Sequence, residues 1–191
     1  MQLSQTEQKY LLRIARSAIE EHLAARSGDR PGAPQEEPPS EKLLDHCGAF
    51  VTLRMPTSGE LRLRGCMGVV VPTHPLVESV RDSAVSAAFR DPRFPPLAPE
   101  ELDACTIEIS VLSPMIPCTP EEVEPGRDGV MISYGPASGL LLPQVAVEQC
   151  WDRSTFLSHV CRKAGAAPDC WRDPRARLHR FTAIVFSESA G

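Results

Sequence analysis

The chain carries seven cysteines, at positions 47, 66, 105, 118, 150, 161 and 170, yet nowhere forms a Cys-x-x-Cys pair. That absence argues against a zinc ribbon and against a thioredoxin-type redox centre. The odd, scattered count reads as reduced thiols rather than a disulfide framework. Also missing are a Walker loop, a Gly-x-Gly-x-x-Gly turn, a His-Glu-x-x-His pair and a Gly-x-Ser-x-Gly elbow. His46-Cys47 and His159-x-Cys161 are too local to build a metal site alone, so no metal is expected. No cofactor is identified either. No apolar run approaches the membrane-spanning length of about 18 residues, and the opening MQLSQTEQKYLLRIARS is charged within its first turns, unlike a signal peptide. The cytoplasm is therefore the expected compartment, with no membrane partner.

Lysine is scarce too, at 3 residues against 17 arginines, and the net charge is −5. That balance argues against a general nucleic-acid coat protein. Residues 162–180 nevertheless hold six basic residues against two acidic ones. Arginine suits planar recognition of carboxylate or phosphate, so a local anion-binding patch stays open there, with codon bias as the plainer explanation.

What is present fits one domain, or one domain with a subdomain, of ordinary composition: 191 residues, 42% hydrophobic and 24% charged. Ser4 and Glu7 form a capping box for a helix whose stripe is Leu11, Ile14, Ala15, Ala18 and His22, with Gly28 as its stop. Residues 28–41, rich in Pro and Glu, read as a flexible linker. From Gly48 the pattern alternates, and a turn at Pro56 to Gly59 leads into a second strand from Leu61 to Val71. Thr73 or His74 caps a helix buried through Val77, Val80, Ala84, Ala87 and Ala88, stopped by Pro92. A strand follows around Ile107, Ile109 and Val111, then a short helix capped by Thr119. Next come a strand at Val130 to Tyr134, a hairpin loop at Gly135 to Gly139, and a strand that Pro143 ends in an edge or bulge. Asp152 caps a helix closed by Gly165, and one strand runs from Leu178 to Phe186. No internal repeat is apparent. Strands joined by tight turns as well as helices predict an α+β fold, with a mostly antiparallel sheet packed with helices in a larger and a smaller subdomain.

One octapeptide carries chemistry. In Leu61 to Gly68, LRLRGCMG, an unbulged strand would put Arg62, Arg64 and Cys66 on one face and turn Leu61 and Leu63 into a core. A thiol beside two guanidiniums is an electropositive setting that favours thiolate. Gly65 and Gly68 would let a ligand or another backbone come close. The plainer reading is a half-buried strand with a small cysteine at a bend. His46, His74 and Glu108 are the candidate bases, and Glu108 is equally a counter-ion for Arg64 across adjacent strands. Arg90, Asp91 and Arg93 sit in a proline-rigid loop that would clamp an anion, unless Asp91 simply pairs with Arg93.

Together, GAFVTL…LRLRGCMG, AFRDPRFPPLAPEEL, IEISVLSP, LLPQV, CRKAG and HRFTAIVF resemble the AMMECR domain family, from about Leu11 to Phe186. The family takes its name from a human chromosomal region linked to Alport syndrome, midface hypoplasia and elliptocytosis. Its Arg-Gly-Cys-x-Gly falls on Arg64 to Gly68, its Arg-Asp-Pro-Arg-Phe on Arg90 to Phe94, and its acidic strand residue on Glu108. Met67 stands where the family usually has isoleucine, a volume-tolerant swap. The resemblance implies one AMMECR-type domain over residues 1–191, built as a compact α+β fold of two unequal parts. It brings no assigned reaction. It does imply company with a Memo-type or radical-SAM protein, and from that a role in RNA modification. Two functions follow as expectations. One is an enzyme or enzyme subunit using Cys66, with Arg64 stabilising its thiolate and Glu108 orienting Arg64. The other is a non-catalytic protein- or nucleic-acid-binding module in which the motif is structural.

Overall fold

A computed structural model of the chain describes residues 2–28 and 37–188. The chain divides into two compact units, one formed by residues 1–112 with 184–191 and the other by residues 113–183. Each has its own four-stranded sheet, so the fold is α+β with two sheets rather than one. The expected linker falls largely on residues 29–36, outside the described residues.

In the first unit, helix α1 (Gln5–Ser27) starts at the expected capping box. Ser4 Oγ accepts from the Glu7 amide at 3.3 Å and Glu7 returns a bond to the Ser4 amide at 2.6 Å. The second Glu7 oxygen accepts from Ser40 Oγ at 2.6 Å. Those bonds, Ser40 first, pull the Glu7 carboxyl down to about 2. Gly28 ends the helix at φ 86°, a left-handed conformation that glycine adopts without strain. The sheet runs β2 (Glu60–Val69), β1 (Ala49–Thr57), β3 (Thr106–Leu112), β8 (Ala183–Ser187), with β1 antiparallel to both neighbours. Val51, Leu53, Ile107 and Ile109 form its buried face, with α1 and helix α2 (Leu76–Phe89) contributing Leu11, Ile19, Val80 and Ala84 to the same core. Pro75, not Thr73 or His74, occupies the cap of α2, and the helix stops at Phe89, three residues before Pro92; a single helical turn, α3 (Pro99–Leu102), follows. Arg16 of α1 forks onto Glu188 at 2.7 and 2.6 Å and also donates to the carbonyls of Leu102 and Cys105. It thereby binds α1 to the segment just past β8.

The second unit is inserted between β3 and β8. Its sheet runs β4 (Ile116–Cys118), β7 (Arg177–Phe181), β5 (Gly129–Tyr134), β6 (Ala137–Leu141), and each of its pairings is antiparallel. Helix α5 (Arg153–Lys163) begins where Asp152 accepts from the Thr155 amide at 2.7 Å, as expected, and buries Phe156, Leu157 and Val160 with Val130, Ile132 and Leu178. Two expectations are corrected here. Pro143 opens a helix, α4 (Pro143–Glu148), because its missing N–H costs nothing at a first helical position. The closing strand is two strands, β7 and β8, which break at Thr182 and join different sheets. At that break the Ser113 amide donates to the Thr182 carbonyl and the Thr182 amide to Ser113 Oγ, both at 2.9 Å. The entering and leaving chains of the insertion are thus fastened together at its root. Among the described residues no helix is long and apolar enough to cross a membrane.

Candidate functional site

The β1–β2 hairpin turns through Ser58 and Gly59, both with positive φ, the backbone a tight two-residue hairpin requires. From there the register runs evenly to Arg54 opposite Leu63, then slips, since Leu53 faces Gly65. Arg64 is the extra residue of a β-bulge. The slip inverts the expected faces. Leu61 and Leu63 lie exposed on the Cys66 side, and Arg62 falls on the opposite side from Cys66. It also decides the thiol's neighbour. An unbroken hairpin would set Cys66 opposite Val51, whereas the bulge sets it opposite Thr52, whose hydroxyl donates to Cys66 Sγ at 3.2 Å.

Thr52 in turn faces Glu108 on β3, so Cys66, Thr52 and Glu108 form one row across three strands. Two strand spacings part Cys66 from Glu108, roughly 9.5 Å. Glu108 is the counter-ion of Arg54 at 3.4 Å, not of Arg64. Arg64 is consumed elsewhere. Its Nε and Nη2 fork onto Glu101 at 2.8 Å each, and its guanidinium also donates to the Pro95 and Pro96 carbonyls. The Glu101 bonds raise the Arg64 pKa above its ordinary value and lower that of Glu101.

The Arg90–Arg93 loop acts on the same strand from its free edge. Asp91, 4% exposed, accepts the Cys66 amide on Oδ2 at 2.9 Å. Arg93 forks onto Asp91 at 2.9 and 2.6 Å and donates Nη2 to the Cys66 carbonyl at 3.3 Å. The Arg93 bonds hold the Asp91 carboxyl well below the usual carboxylate range. The pair therefore stands where the next strand would stand, satisfying one residue of the edge. Arg90 is exposed, its amide closing α2 on the Ser86 carbonyl at 2.8 Å.

Both motif glycines are places of close approach. A Cβ on Gly65 would lie 2.2 Å from the Ala87 carbonyl oxygen of α2, and one on Gly68 would lie 2.3 Å from the Ala49 oxygen and 2.5 Å from the Phe50 ring. The alanines of the buried α2 stripe bring the helix down onto the strand, and only glycine fits beneath.

No histidine among the described residues hydrogen-bonds Cys66 Sγ. His74 meets Thr73 Oγ1 at 3.0 Å, and His46 is exposed. No group of three or more metal-ligating side chains occurs among the described residues. Cys66 is half-buried, while Cys47, Cys105, Cys161 and Cys170 are buried. Burial pushes the Cys105 thiol up to about 11, and burial with the Cys170 contact pushes Cys161 up to about 12. Sequence reasoning missed Thr52, hidden by the bulge, and Glu101. It also missed a repeat that is plain once sought: Arg-Asp-Pro-Arg recurs at 172–175. There Arg175 forks onto Asp173 at 3.1 and 2.7 Å, and Tyr134 Oη donates to the same carboxylate at 2.8 Å.

The family model described as AMMECR1 matches residues 12–186. A protein of Thermococcus gammatolerans is 46% identical over 187 residues, covering 94% of this chain and 89% of its own length. Protein TK0174 of Thermococcus kodakarensis is similar at the same identity and coverage. The crystal structure of uncharacterised protein PH0010 from Pyrococcus horikoshii superposes with a TM-score of 0.84 at 42% identity, covering 94% of this chain and 90% of that one. With its motif segments spread through both units and the match spanning nearly the whole described fold, the chain belongs to the AMMECR1 family.

Proposed function

We propose that the protein is a thiol-dependent enzyme or enzyme subunit in which Cys66 is the reacting group. One observation carries the reading: the backbone of half-buried Cys66 is held at both polar atoms by Asp91 and Arg93, while its sulfur is oriented by Thr52. A reacting atom fixed by supporting bonds of this kind is what catalysis by positioning needs. Acting as a nucleophile, Sγ forms a bond to an electrophilic carbon while that carbon's bond to its leaving group breaks, and the leaving group departs with the electron pair. The thiol proton passes to water or to the leaving group. Arg64 serves the loop and so acts by positioning. Glu108 with Arg54 offers a polar contact for substrate two strands away. A macromolecule such as RNA as the substrate is the expectation that the family resemblance brings to this reading.

The test is alkylation of the native protein between pH 5.5 and 9, with all seven cysteines followed by mass spectrometry. Cys66 labels in the folded state, alongside exposed Cys150, and ahead of the five others. Labelling of Cys66 only on unfolding overturns the reading.

The close fit of Gly65 under Ala87 favours a second reading, a binding module in which the motif is architecture. Its partner would be a Memo-type or radical-SAM protein. On that reading Cys66→Ala lowers stability and leaves complex formation unchanged in a pull-down with the candidate partner. Loss of the complex on that substitution removes it.

A further inference from the structure

The second unit contains a cavity of about 680 Å³, lined by Ser133, Tyr134, the Gly135–Ala137 turn, Gly165–Ala167, Arg175 and Arg177. Small-molecule sites have volumes of roughly 300–1,000 Å³. Its walls are preformed. The Ala166 amide donates to the Cys161 carbonyl and the Cys170 amide to the Ala167 carbonyl, both at 3.0 Å, which pins the Gly165–Ala167 wall at either end. The opposite wall is the two-residue turn of the β5–β6 hairpin, with Gly135 at φ 57°.

Among the described residues no carboxylate lines this cavity, whereas Arg175 and Arg177 do. Arg175 spends Nε and Nη2 on Asp173 and Tyr134 Oη, which cancels one positive charge against one negative. Its Nη1 has no partner among the described residues. Arg177, exposed and opposite Ser133 in the β5–β7 pairing, has neither a hydrogen bond nor an ion pair at its guanidinium among the described residues. The site therefore presents one uncompensated positive charge and planar donors above small, uncharged walls. Guanidinium donors in that setting recognise a planar or tetrahedral oxyanion.

We infer that this cavity binds a small molecule through an oxyanion, a carboxylate or a phosphate, held by Arg177 and the free edge of Arg175. The site lies wholly within the second unit and is independent of the chemistry at Cys66.

Backbone amide shifts in the full chain, titrated with inorganic phosphate, adenosine monophosphate and benzoate, test it. At least one probe produces saturable shifts at Gly135, Ala137 and Gly165–Ala167, and the responding probe tells phosphate from carboxylate. Arg177→Gln weakens that binding by about tenfold or more, Arg177→Lys by less, and the equal charge change Arg62→Gln leaves it unaltered. Arg177 is exposed, and the unchanged remainder of the spectrum verifies its folding. Absence of saturable shifts with all three probes at about 10 mM, a bound far weaker than any built site would give, overturns the inference. So does binding that Arg177→Gln leaves intact. A single-stranded RNA oligomer that shifts Arg162, Lys163 and Arg172, with equal losses from Arg177→Gln and Arg62→Gln, marks a general basic surface and overturns it as well.

Discussion

Arg-Asp-Pro-Arg at 90–93 and at 172–175 folds into the same fork twice. In each, the aspartate accepts the amide of the second arginine and both edges of its guanidinium, at 3.1, 2.9 and 2.6 Å in the first and 2.9, 3.1 and 2.7 Å in the second. Proline between the two residues restrains the turn, and the bidentate match of guanidinium to carboxylate does the rest. What the forks hold differs. The first holds the N–H and C=O of Cys66 and closes a strand edge. The second holds one side chain, Tyr134, through its hydroxyl. Asp91 is buried, whereas Arg175 is 78% exposed. A local motif thus specifies the fork, and the element laid against it specifies the task.

The sharpest way to break this comparison is to move the strand rather than the fork. Gly65→Ala forces a Cβ into the Ala87 carbonyl and shifts β2, at a cost of about 3 kcal/mol in urea unfolding. Hydrogen exchange at the Cys66 amide then accelerates, while amides around Asp173 keep their rates. Equal acceleration in both places would mean that the forks are not independent.

Removing the carboxylates comes next. Asp91→Ala leaves the Cys66 amide and Arg93 without their partner and costs about 1–3 kcal/mol, reduced by the half-exposed position of Arg93. Asp173→Ala costs measurably less in the same titration, because the Arg175 guanidinium that it releases is exposed to water. A reversed order would refute the assignment of the first fork to the strand edge.

Smaller still is the exchange of fork for point charge. Arg93→Lys loses the second bond to Asp91 and the reach to the Cys66 carbonyl, about 0.5–1 kcal/mol, whereas Arg175→Lys stays within the error of the measurement.

The least effect is one of acid. Both aspartates are held below their ordinary range, each mainly by its arginine. A carboxyl depressed in the folded state contributes stability above its unfolded pKa, about 3.9, and loses it as pH falls toward the folded value. The stability gap between wild type and Asp91→Ala therefore narrows from pH 7 to pH 3. A gap that stays constant would show that the charge on Asp91 is not what matters.

The helix caps at Ser4 and Asp152 and the alternation of Ile107, Ile109 and Val111 were legible in the sequence, because each rests on neighbours within a few residues. The partners of Cys66 were not. A single bulged residue at Arg64 exchanges the faces of the hairpin, and nothing in the alternation of Leu and Arg announces it. Glu101 as the anchor of Arg64 was hidden for a related reason, since it sits on a one-turn helix, Pro99–Leu102, whose placement depends on the docking of α2. The fork of Asp91 with Arg93 was readable as self-pairing, but its reach to the strand edge requires the tertiary fold. Pro143 misled because proline ends a strand and opens a helix equally well.

The order of elements along the chain has a consequence for synthesis. The second unit is contiguous and fastened at its root by Ser113 and Thr182, and all its strands precede β8 along the chain. The first unit must wait, because its last strand and the Glu188 anchor of Arg16 follow the whole insertion. Until then, β3 has one unpaired side and α1 lacks its tether. The inserted unit is thus complete in sequence before the first unit is, and the sheet that carries Cys66 on one edge strand receives its opposite edge strand last.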